Sequence, residues 1–270
     1  MEKKFEKFTF GKRLDSMLNV DFRRMFTIPF FYILVGIAFV VPILILVMTT
    51  MMDGAVSVDP NGNQTVMEGF DFVWQILGSV SSTGQDSAGA MSMDLVSMCN
   101  INMLYFAVAV LVCVFVADDF RSGYAKNLFT VRSKKTDYVI SKTLVTFVGG
   151  AIMILAFVVG ALIGGGVSGL SFEMQGFNWA NILACVISKM LLVSIFVAIY
   201  LLMSVIAKQK LWLSILLSLA VGMLLFNVAP MVSPLDANAI HIILSLVGGT
   251  ALCVGLGAIS NLILKKTSLV

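Results

Sequence analysis

Between Asp118 and Lys142 the chain reads DDFRSGYAKNLFTVRSKKTDYVISK, and six of its 18 Lys and Arg residues fall there. Lys126 beside Leu128 and Phe129 mixes cations with apolar side chains, the mixture expected of a docking surface. Gly123 permits a tight turn or a close approach of another backbone. Thr136 and Asp137 offer side-chain oxygens to the free N–H groups of a helix starting there. Asp118, Asp119 and Arg121 can pair with one another or with Arg23 or Arg24. As exposed pairs they would contribute under about 1 kcal/mol and act by positioning elements. The plain alternative for the patch is a basic cytoplasmic loop that anchors two membrane spans.

Catalytic chemistry is missing. The sequence has no G-x-x-x-x-G-K-[ST], no H-E-x-x-H and no G-x-S-x-G, and its single histidine, His241, rules out a multi-histidine metal site within the chain. Cys99, Cys113, Cys185 and Cys253 form no C-x-x-C pair and sit in or beside apolar runs, so they read as small packing residues. No bound cofactor is expected. No pair of carboxylates faces a titratable group inside the apolar runs, as a proton-coupled carrier would need. Lys189 is the one cation within such a run. It lies 18 residues before Ala207, about 27 Å of helix, which places it at the outer boundary. It is either a snorkelling interfacial lysine or a pore-lining residue near an outer exit.

These residues must be held by membrane-spanning helices. Of the 270 residues 59% are hydrophobic and 12% charged, against roughly 45–50% and about 25% in soluble domains. Six apolar runs, near 27–50, 99–117, 143–166, 187–207, 211–230 and 241–264, are each close to the about 20 residues that cross a bilayer core. The expected fold is an all-α polytopic membrane protein with six transmembrane helices. Placing both termini inside puts 17 of the 18 Lys and Arg residues in segments 1–26, 118–142, 208–210 and 265–270, and only acids in the outer loops. Residues 1–26 form no cleavable signal. Over 12–26, Leu14, Met17, Leu18, Phe22 and Met25 share one helical face, with Lys12, Ser16, Asn19 and Arg23 around the other, so the segment reads as an amphipathic helix lying in the cytoplasmic headgroup plane. The transmembrane domain is then 27–270.

The outer loop 51–98 contains DPNGNQ, a turn signal. Phe70, Val73, Trp74 and Leu77 then sit at helical spacing, which predicts a short helix on the outer surface. The stretch 81–94 is small and polar, either a passive loop or a lid. Gly160-xxx-Gly164 and Gly165-xxx-Gly169 favour close helix packing. Pro230 and Pro234 break the chain over 227–241, read as a broken or re-entrant outer segment tolerated because protein surrounds it.

The order Asp119-Phe120-Arg121-x-Gly123-x-x-Lys126, followed by Ser133-Lys134 and by Ser141-Lys142 entering an apolar span, resembles the cytoplasmic connection of type-2 ATP-binding-cassette (ABC) permeases. Tyr124 stands where threonine is usual. Six spans, inward termini and a basic N-terminal helix are similar to that family. The resemblance implies a coupling helix that docks on a separate ATPase subunit, with Asp119, Arg121, Gly123, Lys126, Leu128 and Phe129 in the contact. It also implies ATP and Mg held by that partner, a second permease subunit of the same or a related chain, and a bacterial plasma membrane. A path is then sought among mid-depth polar and aromatic positions: Asn102, Tyr105 and Phe106 in the second span, Lys189 in the fourth, and Phe226 and Asn227 in the fifth. The 17 Met and 20 Phe residues suit an amphipathic peptide, lipid-like or drug-like substrate, and plain membrane packing equally. No nucleic-acid partner is expected. Other classes remain open: a non-transporting immunity or interaction protein, or an ion-coupled carrier or channel.

Overall fold

The computed structural model describes residues 10–52, 56–58, 64–66, 69–78, 100–131, 135–174, 176–207, 210–226 and 228–266. Helix α1 (Phe10–Thr27) turns at Ile28 into α2 (Pro29–Met52). Strands β1 (Val56–Val58) and β2 (Gln64–Val66) pair antiparallel, residues 59–63 of the DPNGNQ turn signal lie outside the described residues, and a 3-10 turn spans Val73–Leu77. A second 3-10 turn (Ile101–Met103) opens α3 (Leu104–Arg121). Helices α4 (Tyr124–Val131), α5 (Lys135–Ser168), α6 (Trp179–Ala207), α7 (Leu211–Phe226), α8 (Ala229–Val232) and α9 (Ala239–Lys266) complete the described order. Among the described residues the fold is helical apart from this strand pair, and five helices are long and apolar enough to cross a membrane. It is the architecture of a helical membrane protein.

Several sequence-based boundaries moved. Helix α5 has 34 residues, about 51 Å, because Lys135–Lys142 continues the helix ahead of the apolar run. Helix α6 begins at Trp179 rather than near 187. Helix α7 has only 16 residues, about 24 Å, short of the roughly 30 Å core. Past residue 227 the chain forms the single turn α8, with Pro230 at its start, and a bend through Pro234 before α9. That bend is tucked into the bundle: Leu235 and Ala237 are buried, and Asn181 Nδ2 donates to Ala237 O at 3.1 Å.

Helices α5 and α6 form the middle of the bundle. Helix α2 lies along α5, α9 lies along α6, and α3 packs on both. The glycines of α5 explain how α2 comes so near. A Cβ at Gly160 would strike the Phe39 carbonyl and the Pro42 ring, and one at Gly164 would lie 2.8 Å from Ile43 Cα. Close approach of this kind replaces the hydrophobic driving force that lipid does not supply. Polar side chains add the short helix: Cys113 Sγ meets Ser218 Oγ at 3.2 Å, and Ser204 and Ser214 hydroxyls pair at 2.8 Å, fastening α7 to α3 and α6. Cys113 and Cys185 are buried free thiols and Cys253 is a half-buried one; Cys99 lies outside the described residues. The outward faces of α2 and α9 present Tyr32, Ile37, Leu44, Ile240, Val247 and Val254, apolar surface suited to lipid.

The Val73–Leu77 turn corrects one expectation. It does not lie on the surface. Val73, Trp74, Ile76 and Leu77 are buried, with Val73 against Gly165, Trp74 Nε1 donating to Phe172 O at 3.2 Å, and the Trp74 and Trp179 rings edge to face at 5.2 Å. A period that marks an amphipathic helix marks equally a plug whose apolar side faces a bundle. Residues 81–94 lie outside the described residues.

Gly160→Val should lower the thermal stability of the purified protein, overpacking costing about 1–3 kcal/mol, because backbone blocks the new side chain. Gly166→Ala, where a Cβ meets nothing within 4 Å, should leave it unchanged or slightly raised. Thermal unfolding in detergent compares the two directly.

Candidate functional site

The basic patch folds as the end of α3, a glycine turn and α4. The Ser122 hydroxyl donates to Asp118 O at 2.7 Å, closing α3, and Gly123 turns the chain at φ +74, a left-handed conformation that favours glycine. Helix α4 is amphipathic. Ala125 is buried, Leu128 and Phe129 are half-buried against the core, and Lys126, Asn127 and Thr130 face outward. Leu128 and Phe129 are therefore anchors of the helix as well as part of its surface; the Phe129 ring meets Tyr138 edge to face at 5.3 Å. Arg121 and Lys126 are exposed, and Ser133 and Lys134 lie outside the described residues.

Behind α4 lies a network of which the sequence announced only the Arg24 pairs with Asp118 and Asp119. Lys142, fully buried in α5, reaches Asp21 Oδ1 of α1 at 2.9 Å and Asp119 Oδ2 of α3 at 2.7 Å. Arg24 of α1 donates to Asp119 Oδ1 at 2.6 Å and contacts Asp118 Oδ2 at 3.4 Å. The Ser141 hydroxyl donates to Asp21 Oδ2 at 2.6 Å, and the Tyr138 hydroxyl to Asp119 Oδ2 at 3.0 Å. The Lys142 ammonium sits 3.8 Å from the Phe115 ring centroid, and the Arg24 guanidinium 4.3 Å from that of Tyr124. Three carboxylates thus meet two cations, and the two buried ones, Asp21 and Asp119, each accept a hydroxyl bond besides. Nearby, Arg13 Nε faces the buried Asp137 at 3.4 Å, a further tie between α1 and the first turn of α5. Lys135 Nζ donates to Leu264 O at 2.5 Å, joining that turn to the end of α9.

These contacts revise the expectation of weak exposed pairing. Arg24 does pair with Asp118 and Asp119, but Asp119 is 0% exposed and cannot touch an external partner. Its role is to position the end of α3. Burial opposes the Arg24 charge, yet Asp119 outweighs it and holds the guanidinium above its ordinary pKa. Burial, aided by Asp21, likewise pushes the Tyr124 phenol up, so it stays neutral beside Arg24. Asp21 and Lys142 are the partners missed. One signal for Asp21 was its spacing: it falls four residues after Met17 and four before Met25, both buried, on the apolar face of α1.

Toward the other end of the bundle the path candidates divide into two groups. Asn102, Tyr105 and Lys189 come together. Lys189 Nζ donates to Asn102 Oδ1 and to Ser233 Oγ, each at 3.1 Å, and the Tyr105 hydroxyl donates to Lys189 O at 3.2 Å. Lys189 does not snorkel. It is 1% exposed, and because α6 extends to Trp179 it lies ten residues inside the N-terminal end of its helix, about 15 Å. The Phe106 and Phe226 rings stack at 5.5 Å between α3 and α7. Asn227 lies outside the described residues.

Removing one partner from a buried ion network leaves an uncompensated charge, so Lys142→Met should cost about 3–5 kcal/mol. Adding Asp21→Asn to Lys142→Met should recover part of that loss, since the stranded carboxylate disappears. A double-mutant cycle by chemical or thermal unfolding reads the coupling; strictly additive losses would mean that the two residues act independently. Comparison with protein-family models, with curated proteins and with solved structures returns no match to this chain.

Proposed function

We propose that this chain is the transmembrane permease subunit of an ATP-driven exporter in a bacterial plasma membrane. Two such subunits, identical or related, pair around a path for an amphipathic peptide, lipid-like or drug-like substrate, and separate ATPase subunits bind beneath. The observation that carries the proposal is the α4 helix. It is short, presents Lys126, Asn127 and Thr130 outward, and hangs between two long apolar helices. Its base is tied through Asp119 and Arg24 to the amphipathic α1. A push on α4 therefore reaches α1, α3 and α5 together.

The six-span arrangement with inward termini belongs to the same proposal. Helices α7 and α8 make up the fifth crossing, and the sidedness of Lys and Arg sets the orientation. The sequence carries no phosphate-binding loop of its own, so energy has to come from a partner. ATP-driven closure of that partner would bias the helices between inward- and outward-facing arrangements.

Co-purification from the native membrane tests this. A P-loop ATPase should accompany the chain. Lys126→Glu should weaken that association by roughly tenfold, about 1.4 kcal/mol, through lost charge complementarity, while leaving the unfolding temperature of the permease near that of the wild type. Full transport or protective function in cells without any partner ATPase would sink the proposal and favour the immunity or carrier alternatives.

A further inference from the structure

Apart from the cytoplasmic network, one buried cation has only neutral hydrogen-bond partners. Lys189 donates to Asn102 Oδ1 and Ser233 Oγ, and among the described residues it forms no ion pair. An ammonium carries three N–H donors, so one is left over. Asn102 Nδ2 is buried beside it without any acceptor. The amide cannot be turned to cure this, because Lys189 needs its oxygen. The Ser233 hydroxyl proton is committed to Ala229 O at 3.1 Å. Among the described residues the cluster is therefore short of an acceptor and of a counter-charge. Burying a cation without a counter-charge is among the costliest arrangements a protein can hold, and Lys142 in the same bundle is met by two carboxylates.

We propose that Lys189 and Asn102 Nδ2 form a binding site for a carboxylate group supplied from outside the chain. A carboxylate brings one negative charge and about four lone-pair positions, so it can accept from both donors at once. The approach is from the outer side. There the ammonium is covered by Gly78, where an added Cβ would lie 3.9 Å from Lys189 Nζ and 3.9 Å from Ser233 O. Gly78 ends a 3-10 turn, and Ser233 ends the single turn α8. Both covers are short elements, which open at lower cost than spanning helices. The floor is firm: Tyr105 holds the Lys189 carbonyl and stacks on Phe196 at 4.2 Å. The site does not require an ATPase partner, and its test is independent of the permease proposal.

The test is the unfolding temperature of the purified full chain in detergent, titrated with sodium acetate or sodium octanoate against sodium chloride at constant ionic strength. The wild type should rise saturably by about 2–4 °C. Lys189→Met should not respond. Asn102→Asp, which places a carboxylate beside Lys189, should also not respond, and it decides the matter alone if Lys189→Met does not fold. A rise with acetate identifies a free carboxylate ion; a rise with octanoate only identifies the head of an amphiphile; both uphold the site. No saturable rise with either salt, or a rise that persists in the variants, overturns it. It is equally overturned if Asp86→Asn or Asp94→Asn lowers the unfolding temperature in the wild type and not in Lys189→Met, since the counter-charge would then be the chain's own.

Discussion

One buried ammonium organises the end of the bundle where α1, α3 and α5 meet. Lys142 enters from α5, and its two carboxylates come from α1 and α3. Neither carboxylate could be buried alone, and neither could the lysine, so each helix end is held where the others need it. The aromatic rings of Phe115, Tyr124 and Tyr138 close over the same charges. Such a network adds little net stability compared with well-packed apolar groups. What it adds is registry: α1 cannot slide along the membrane surface, and α3 cannot rotate about its axis, without breaking a charge pair in a dry place.

The opposite end is assembled by other means. Aromatic plugging by Trp74, glycine clearances on α5 and the Ser233 bend hold that end together. Between the two ends, hydroxyl and thiol contacts fasten the short α7. The bundle thus concentrates ionic ties at one end and uses steric fit at the other. Helices α2 and α9 leave most of their apolar side chains facing outward, while α5 and α6 carry the contacts in the middle.

The long helices were legible in the sequence because lipid enforces one rule, unbroken apolar length, and 59% hydrophobic residues left few ways to satisfy it. The amphipathic α1 was legible for the same reason, through the spacing of Met17, Leu18, Phe22 and Met25. Side-chain partnership was less legible. Asp21 reads as one more surface charge until a lysine 121 residues away is brought against it, and no local pattern encodes that distance. Lys189 failed differently. Its depth was counted from the Ala207 end alone, although α6 starts at Trp179, and the apolar residues 182–186 of its first turns were left out of the run. The Val73–Leu77 turn shows the limit of periodicity: spacing reports an apolar face, and only the bundle decides whether that face meets lipid, water or protein.

The distance between Asp21 and Lys142 also has a consequence for biosynthesis. The partners of Asp21 and Arg24 lie about a hundred residues downstream, so α1 is synthesised well before them. Until then Asp21 has no Lys142 to pair with. Docking of α1 therefore waits for the arrival of α5, and the closing of a single lysine between two carboxylates marks the point at which this half of the molecule becomes one body.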